Sequence, residues 1–237
     1  MSVFFISDLH LEPGKQARNE LFHHWLETRA RLCSALYILG DLFEYWLGDD
    51  IGMLEYENTV TALDALSRHG VKIYIMPGNR DFLLGEMFAR ACGAHLLQDP
   101  ECIALFGEPT IITHGDLLCT ADRAYQRFRR IVRNPWLQRR FTRLPKQARD
   151  TLGKRIRSTT TNAVRHKPLY IMDVDQATVS AFFCNAKAHQ MIHGHIHRPG
   201  IFHHDSLTRI VLGAWGDEGS ALRCDGTNPP RFETITA

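Results

Sequence analysis

Long hydrophobic runs are missing from this chain: no stretch approaches the ~20 apolar residues that a membrane-spanning helix needs. CxxC pairs are missing too. The six cysteines, Cys33, Cys92, Cys102, Cys119, Cys184 and Cys224, are scattered. Such spacing argues against a disulfide framework or a zinc knuckle and predicts small buried thiols in a reducing compartment. The first residues enter a strand at once, without the charged start and long apolar stretch of a secretory signal, so a cytoplasmic protein is expected. There is no internal repeat and no low-complexity tract.

What is present is an ordinary globular composition, 44% hydrophobic and 23% charged. The 237 residues suffice for one large domain or two small ones. The net charge of +2 conceals an asymmetry. Thr120 to Lys167 hold 15 Arg and Lys against two acids, Asp122 and Asp150, a balance of +13. The remainder holds 13 basic and 24 acidic residues, a balance of −11. A basic segment set into an acidic body points to an anionic partner for that segment.

Six apolar runs each end in a short polar stretch. Residues 3–6 end in Ser7-Asp8-Leu9-His10, and 36–39 in Gly40-Asp41. Residues 71–76 end in Pro77-Gly78-Asn79-Arg80-Asp81, and 110–113 in His114-Gly115-Asp116. Residues 189–193 lead into Gly194-His195-Ile196-His197. The sixth stretch, Leu212-Gly213-Ala214-Trp215-Gly216, has the same form and carries no obvious ligand. In open α/β sheets, ligands gather beyond the carboxyl ends of strands. Asp8, His10, Asp41, Asn79, His114, His195 and His197 are therefore expected to converge. Seven O and N donors exceed what one small ion needs and suit two ions sharing a carboxylate. Asp8, His10, Asp41 and His197 would hold one; Asp41, Asn79, His114 and His195 the other, with Asp41 bridging. The donor mix suits Mn²⁺ or Fe²⁺, with zinc an alternative.

Strand–helix–strand alternation predicts a largely parallel sheet. Helices are expected over 16–32, 55–69 and 85–92, with a loop from Phe43 to Gly52 whose acids Glu44, Asp49 and Asp50 face solvent or orient ligands. Residues 102–106 and 109–113 read as a hairpin. From 122 to 161 the strand pattern vanishes. Tyr125, Phe128 and Val132 share a helical face, Asn134-Pro135 begins a second helix, and Pro145 begins a third that runs to about Arg157 and ends at Thr159-Thr160-Thr161-Asn162. Asp173 and Gln176 resemble a capping box opening a helix over 174–187. Strands are expected at 201–204, 208–212, 220–224 and 231–235. His193 and Asp116 are expected to support ligands or pack; His23, His24, His166, His203 and His204 to lie on the surface; Trp46 and Trp215 to form core or wall.

Together and in order, Asp8-Leu9-His10, Gly40-Asp41, Gly78-Asn79, His114-Gly115-Asp116 and Gly194-His195-Ile196-His197 resemble the motifs of the calcineurin-like metallophosphoesterases. The resemblance implies an α/β fold: a double β-sheet sandwich flanked by helices, with a dinuclear metal site. The change of character at 120 divides the chain into a core, 1–120 and 168–237, and an inserted helical cap, 121–167, folded over the site. Most members carry His after Gly-Asn, where this chain has Arg80. Arginine stays protonated and is a poor general acid, but it grips phosphate oxygens bidentately. A phosphate leaving group needs charge neutralisation rather than a proton, so Arg80 points to cleavage of a phosphoanhydride.

Gly40-Asp41-Leu42-Phe43-Glu44, Gly78 to Gly85, His114-Gly115-Asp116 and Ile171-Met172-Asp173-Val174 together narrow the resemblance to a pyrophosphohydrolase branch of the family. That branch acts on UDP-2,3-diacylglucosamine in lipid A synthesis, using two Mn²⁺ per chain. It implies attack by a metal-bridging hydroxide on the α-phosphorus, release of UMP and 2,3-diacylglucosamine 1-phosphate, and peripheral attachment to the cytoplasmic face of the inner membrane. Arg80, Asp41 and His195 are its catalytic set. Asn79, Arg80, Asp122, Thr160, Asn162, Lys167 and His195 are its substrate contacts. Tyr125, Phe128, Ile131, Val132, Trp136, Leu137 and Phe141 of the cap would line a slot for acyl chains, and the surrounding Arg and Lys would meet anionic lipid. Two other readings compete. A nuclease or phosphodiesterase could use the basic cap to follow a nucleic acid backbone, and an RNA-binding module could use the same helices without catalysis. Arg80 and the apolar cap face weigh against the first, the intact ligand set against the second. Neither nucleic acid nor an obligate protein partner is expected.

Overall fold

The computed structural model describes residues 1–165 and 173–236; over 156–165 it describes the backbone alone. The elements run β1 (Val3–Ile6), α1 (Gln16–Thr28), β2 (Ala35–Leu39), α2 (Asp49–Glu55), α3 (Glu57–Arg68), β3 (Lys72–Met76), α4 (Glu86–Ala91) and β4 (Ala94–Leu96). There follow β5 (Glu101–Leu105), β6 (Glu108–Thr113), α5 (Arg123–Val132), α6 (Pro135–Thr142), α7 (Lys146–Arg165) and α8 (Gln176–Ala186). The chain closes with β7 (Gln190–His193), β8 (Gly200–His204), β9 (Leu207–Val211), β10 (Gly219–Cys224) and β11 (Arg231–Ile235).

Among the described residues the strands form two sheets, ordered β11-β10-β1-β2-β3-β4 and β5-β6-β7-β9-β8. β1 to β4 run parallel, as do β6, β7 and β9. Antiparallel partners close the edges: β10 and β11 on the first sheet, β5 and β8 on the second. The unbroken apolar sequence of β1 follows from burial on both faces. Phe4 and Ile6 pack against α1, α3 and α4, whereas Val3 and Phe5 face the second sheet. Between the sheets, Phe5, Tyr37, Tyr74 and His95 stack in register across β1–β4, with ring centroids 4.8, 4.6 and 5.5 Å apart. On the far side, Val179 and Phe183 of α8 cover Ile111 and Met191. The result is helices, sheet, sheet, helix, the expected sandwich. The parallel strands point the same way within each sheet, so their polar exits collect at one end.

Several local expectations change. The loop over 43–52 becomes helical at Asp49, and its acids are engaged. Asp49 accepts from the backbone N–H groups of Gly85, Met87 and Phe88 and from the Trp46 indole, so it caps α4 from a distance. Helix α1 stops at Thr28; a 3₁₀ turn, Ala30–Leu32, follows and leaves Leu32 exposed. α7 runs through 159–162 instead of stopping there, although threonine is a weak helix former. The cap of α8 is Asp175, whose carboxylate accepts from the Thr178 N–H, while Asp173 accepts from Val174 next to it. β4 pairs with the edge of β3 over a stretch too short to show periodicity. Cys102 and Cys184 are exposed; the other cysteines are buried, and all are free. His23 is half-buried on Thr59, whereas His24, His203 and His204 are exposed. His166 lies outside the described residues. Trp46 and Trp215 are core residues.

Candidate metal centre

All seven expected donors meet at the shared end of the two sheets. The segment after β1 is zipped to that after β2: Asp8 N–H donates to Gly40 O, His10 N–H to Asp41 O, and Leu11 N–H to Leu42 O, at 3.0–3.1 Å. Within the second sheet, Gly194 N–H donates to His114 O at 2.9 Å, and across the sandwich His195 N–H donates to Asp8 Oδ2 at 2.9 Å. The sixth polar stretch contributes backbone rather than a ligand: Trp215 N–H donates to Asp8 O at 3.1 Å.

Close approach explains two of the motif glycines. A Cβ on Gly78 would overlap the Asp41 backbone and carboxylate, and one on Gly194 would overlap Ser7 and Asp8. Backbone conformation also marks the site. Eight described non-glycine residues have positive φ, and five of them are Asp8, His10, Asp41, His195 and His197. Each left-handed residue costs roughly 1–2 kcal/mol, an expense that concentrates at functional sites. The turn re-aims each side chain from the sheet face toward the cluster.

The donors fall into two overlapping groups. His197 Nε2 lies 3.2 Å from Asp8 Oδ1, and His10 Nε2 lies 3.9 Å from Asp41 Oδ2. His114 Nε2 lies 2.9 Å from Asn79 Oδ1 and 3.8 Å from Asp41 Oδ1. The His195 ring stands 5.0 Å from that of His114, centroid to centroid. Candidate ligand atoms of Asp8, His10 and His197, and of Asp8, Asp41 and His114, lie within 4.8 Å of one another. Asp41 thus faces both groups, and Asp8 does as well.

The residues fit divalent cations. His114 Nδ1, 2.9 Å from the Leu39 carbonyl, carries the proton of that hydrogen bond, which aims Nε2 at the cluster. Burial pushes the His114 imidazolium down, but Asp41, Asp116, Asp8 and Asp99 outweigh it and raise its pKa to about 9. A proton on Nε2 then bridges to Asn79 Oδ1, and a bound cation would have to take its place. Burial also opposes the charge of Asp8. The hydrogen bond from His197 and the charges of His114 and His197 nevertheless hold its carboxyl well below the usual range. His195 is lowered by burial and by the His114 charge, so it is a neutral donor.

A ring of supporting groups surrounds these residues. Asp81 staples two strand exits, accepting from Gly78 N–H at 2.7 Å and Phe43 N–H at 3.2 Å; burial and Asp41 raise its pKa to about 6. His193 donates from Nδ1 to Gly194 O and accepts from Arg209 at Nε2, and burial lowers its pKa to about 3. Asp116 is buried and accepts from the Tyr125 hydroxyl and, at 2.8 Å, from Arg129 Nε. The Tyr125 ring lies against His195, 6.2 Å between centroids. Arg129 also reaches Asp99 at 2.7 Å, and Asp99 accepts from His114 N–H. Arg80 N–H donates to Asp41 Oδ1 at 2.8 Å, and its side chain is 29% exposed at the open rim. Sequence reasoning missed Tyr125, Arg129 and Asp99 as supports, and no local pattern marks them.

Of the expected substrate contacts, Asn79, Arg80 and His195 are in the cluster. The Asp122 carboxylate accepts from Tyr125 N–H at the start of α5. Thr160 and Asn162 lie on α7 where only the backbone is described, and Lys167 lies outside the described residues.

Residues 1–199 match the family model described as calcineurin-like phosphoesterase. The chain is 45% identical to a UDP-2,3-diacylglucosamine hydrolase of Nitrosococcus oceani over 94% of its own length and 91% of the relative's. It is 45% identical to one of Edwardsiella ictaluri over 95% of the chain and 89% of the relative, and 44% identical to one of Vibrio vulnificus over 94% and 93%. Among solved structures, an archaeal phosphodiesterase covers the full length of both chains at 12% identity and a TM-score of 0.50, a likeness of fold. A match of that extent, added to a donor cluster that the fold itself assembles, makes this chain a member of the calcineurin-like phosphoesterase family.

Proposed function

We propose that this protein hydrolyses the pyrophosphate bond of UDP-2,3-diacylglucosamine, releasing UMP and 2,3-diacylglucosamine 1-phosphate in lipid A biosynthesis. The observation that carries this reading is Arg80, at the open rim of the cluster in a chain 45% identical to hydrolases named for that substrate. Asp8, His10, Asp41 and His197 would hold one Mn²⁺, and Asp41, Asn79, His114 and His195 a second. When bound, such a pair supplies an acidified water and compensates phosphoryl charge.

The chain's own groups do the rest. Arg80 grips the phosphoryl oxygens and neutralises the departing phosphate, whose low pKa removes the need for a general acid. Asp41 and His195 face the α-phosphorus from the floor of the cluster, and Asn79 holds the oxygens beside them. Asp122, Thr160, Asn162 and Lys167 bind the remaining polar groups of the substrate.

Residues 121–167 form the lid of this site. Supporting that role, Arg133 donates to the Pro77 and Gly78 carbonyls beside Asn79, and Tyr125 lies against His195. Tyr125, Phe128, Val132 and Phe141 are half-buried and suit acyl chains, each buried CH₂ being worth about 0.8 kcal/mol. Ile131, Trp136 and Leu137 are exposed among arginines and suit peripheral contact with anionic lipid. Among the described residues no helix is long and apolar enough to cross a membrane, so attachment rests on that surface.

The test is phosphorus NMR of UDP-2,3-diacylglucosamine incubated with the protein and Mn²⁺ in ¹⁸O-water, beside an EDTA control. Metal-dependent release of UMP carrying ¹⁸O is expected. Label in the sugar phosphate would place attack on the other phosphorus, and an intact substrate would remove the assignment.

A further inference from the structure

We propose that Glu44 is a positioning residue serving both halves of the centre: one carboxylate oxygen orients His10, and the other holds Arg80 ready for a substrate phosphate. The inference rests on the ligand and substrate reading above. Glu44 Oε2 lies 3.0 Å from His10 Nδ1, and Glu44 Oε1 lies 3.4 Å from Arg80 Nη1. The carboxylate is built into place rather than draped over the surface. Its backbone N–H donates to Leu11 O at 2.9 Å, the last rung of the zipper that joins 8–11 to 40–44, and its side chain is 17% exposed.

The chemistry follows from the two contacts. With its proton on Nδ1, facing the Glu44 carboxylate 3.0 Å away, His10 keeps the Nε2 lone pair on the side of Asp8, Asp41 and His197. A carboxylate behind a ligating imidazole fixes its tautomer and raises its basicity. The other oxygen meets Arg80 through one nitrogen, not as a bidentate fork. Arg80 is thereby aimed while guanidinium N–H groups remain for a phosphate, which reduces the ordering cost when it arrives. An amide cannot do both jobs, because its NH₂ would face either the imidazole N–H or the guanidinium.

The test uses the full chain with Glu44→Gln and Glu44→Ala, each alone and combined with Arg80→Ala. Mn²⁺ affinity is read by electron paramagnetic resonance of the free ion, and kcat and KM are read at saturating Mn²⁺. Both Glu44 variants should bind Mn²⁺ roughly 10–100-fold more weakly, with or without Arg80. The kcat loss from Glu44→Ala should shrink when Arg80 is already absent. Unchanged Mn²⁺ affinity in folded Glu44→Gln, or kcat losses that simply multiply, overturns the proposal. If neither variant folds, ¹⁵N-histidine spectra of the Zn²⁺-loaded wild type decide: a protonated His10 Nδ1 upholds it, and a protonated Nε2 overturns it. A wild-type chain that binds no Mn²⁺ would instead overturn the metal-site reading beneath it.

Discussion

At the scale of single residues, His114 concentrates the electrostatics of the centre. Four carboxylates lift its pKa from 6.5 to about 9 against the pull of burial. In metal-free protein this raised value stabilises the fold fully below pH 6.5, and the contribution disappears as pH rises through about 9. A melting series in EDTA should therefore show stability falling between pH 7 and 9. Metal binding must expel the same proton, so apparent Mn²⁺ affinity should climb by up to about tenfold per pH unit over that range. Calorimetry in buffers of different ionisation enthalpy checks this by counting released protons. Arg80 touches the cluster by backbone and side chain but is not needed as a donor. Arg80→Ala should lower kcat by about 10²–10³-fold with Mn²⁺ stoichiometry unchanged; loss of metal in that variant would move Arg80 from substrate handling to site assembly.

At the scale of elements, two long-range attachments hold pieces that local sequence cannot hold. Helix α4 is short and takes its N-terminal acceptor from Asp49, far away in sequence, which satisfies three backbone N–H groups. Asp49→Ala leaves those donors without it and should cost about 1–3 kcal/mol in urea unfolding. Helix α5 is moored by Arg129 to Asp116 and Asp99 beneath it. Removing the guanidinium strands two buried carboxylates, so Arg129→Ala should cost about 3–5 kcal/mol. Because Tyr125 shares Asp116 and faces His195, the same change should also raise KM, and a KM that stays constant would separate the mooring from the site.

At the scale of the whole molecule, charge is divided between two regions. The body is acidic, while Thr120 to Lys167 are strongly basic. That segment also exposes Ile131, Trp136 and Leu137, with Arg140 stacked over the Trp136 ring at 5.1 Å. Apolar anchors ringed by cations suit an anionic bilayer surface, where each cation is worth about 1 kcal/mol. Trp136→Ala with Leu137→Ser should reduce co-sedimentation with phosphatidylglycerol vesicles several-fold, and added salt should weaken what remains. Equal binding to neutral vesicles would put the interaction down to apolar contact alone.

The sequence alone determined where the candidate chemistry sits. The seven donors and the basic segment were legible in the residues, because motif residues sit at strand exits, where apolar periodicity breaks off abruptly. Most strands and helices were legible for the same reason. The sandwich and the departure at Arg80 were legible through the resemblance to the calcineurin-like metallophosphoesterases. Only the tertiary structure decided who stands behind the donors. Glu44 and Asp49 read as members of a loop that faces solvent or orients ligands, and it is the fold that sets one against His10 and Arg80 and makes the other cap α4. Asp99 and Arg129 meet across 30 positions, and Trp215 reaches Asp8 from near the end of the chain. Caps and strand runs are governed by neighbours in sequence, so a linear reading finds them. A buried carboxylate's partner is governed by which charges the fold brings within about 3 Å, and that distance exists only once both sheets have packed.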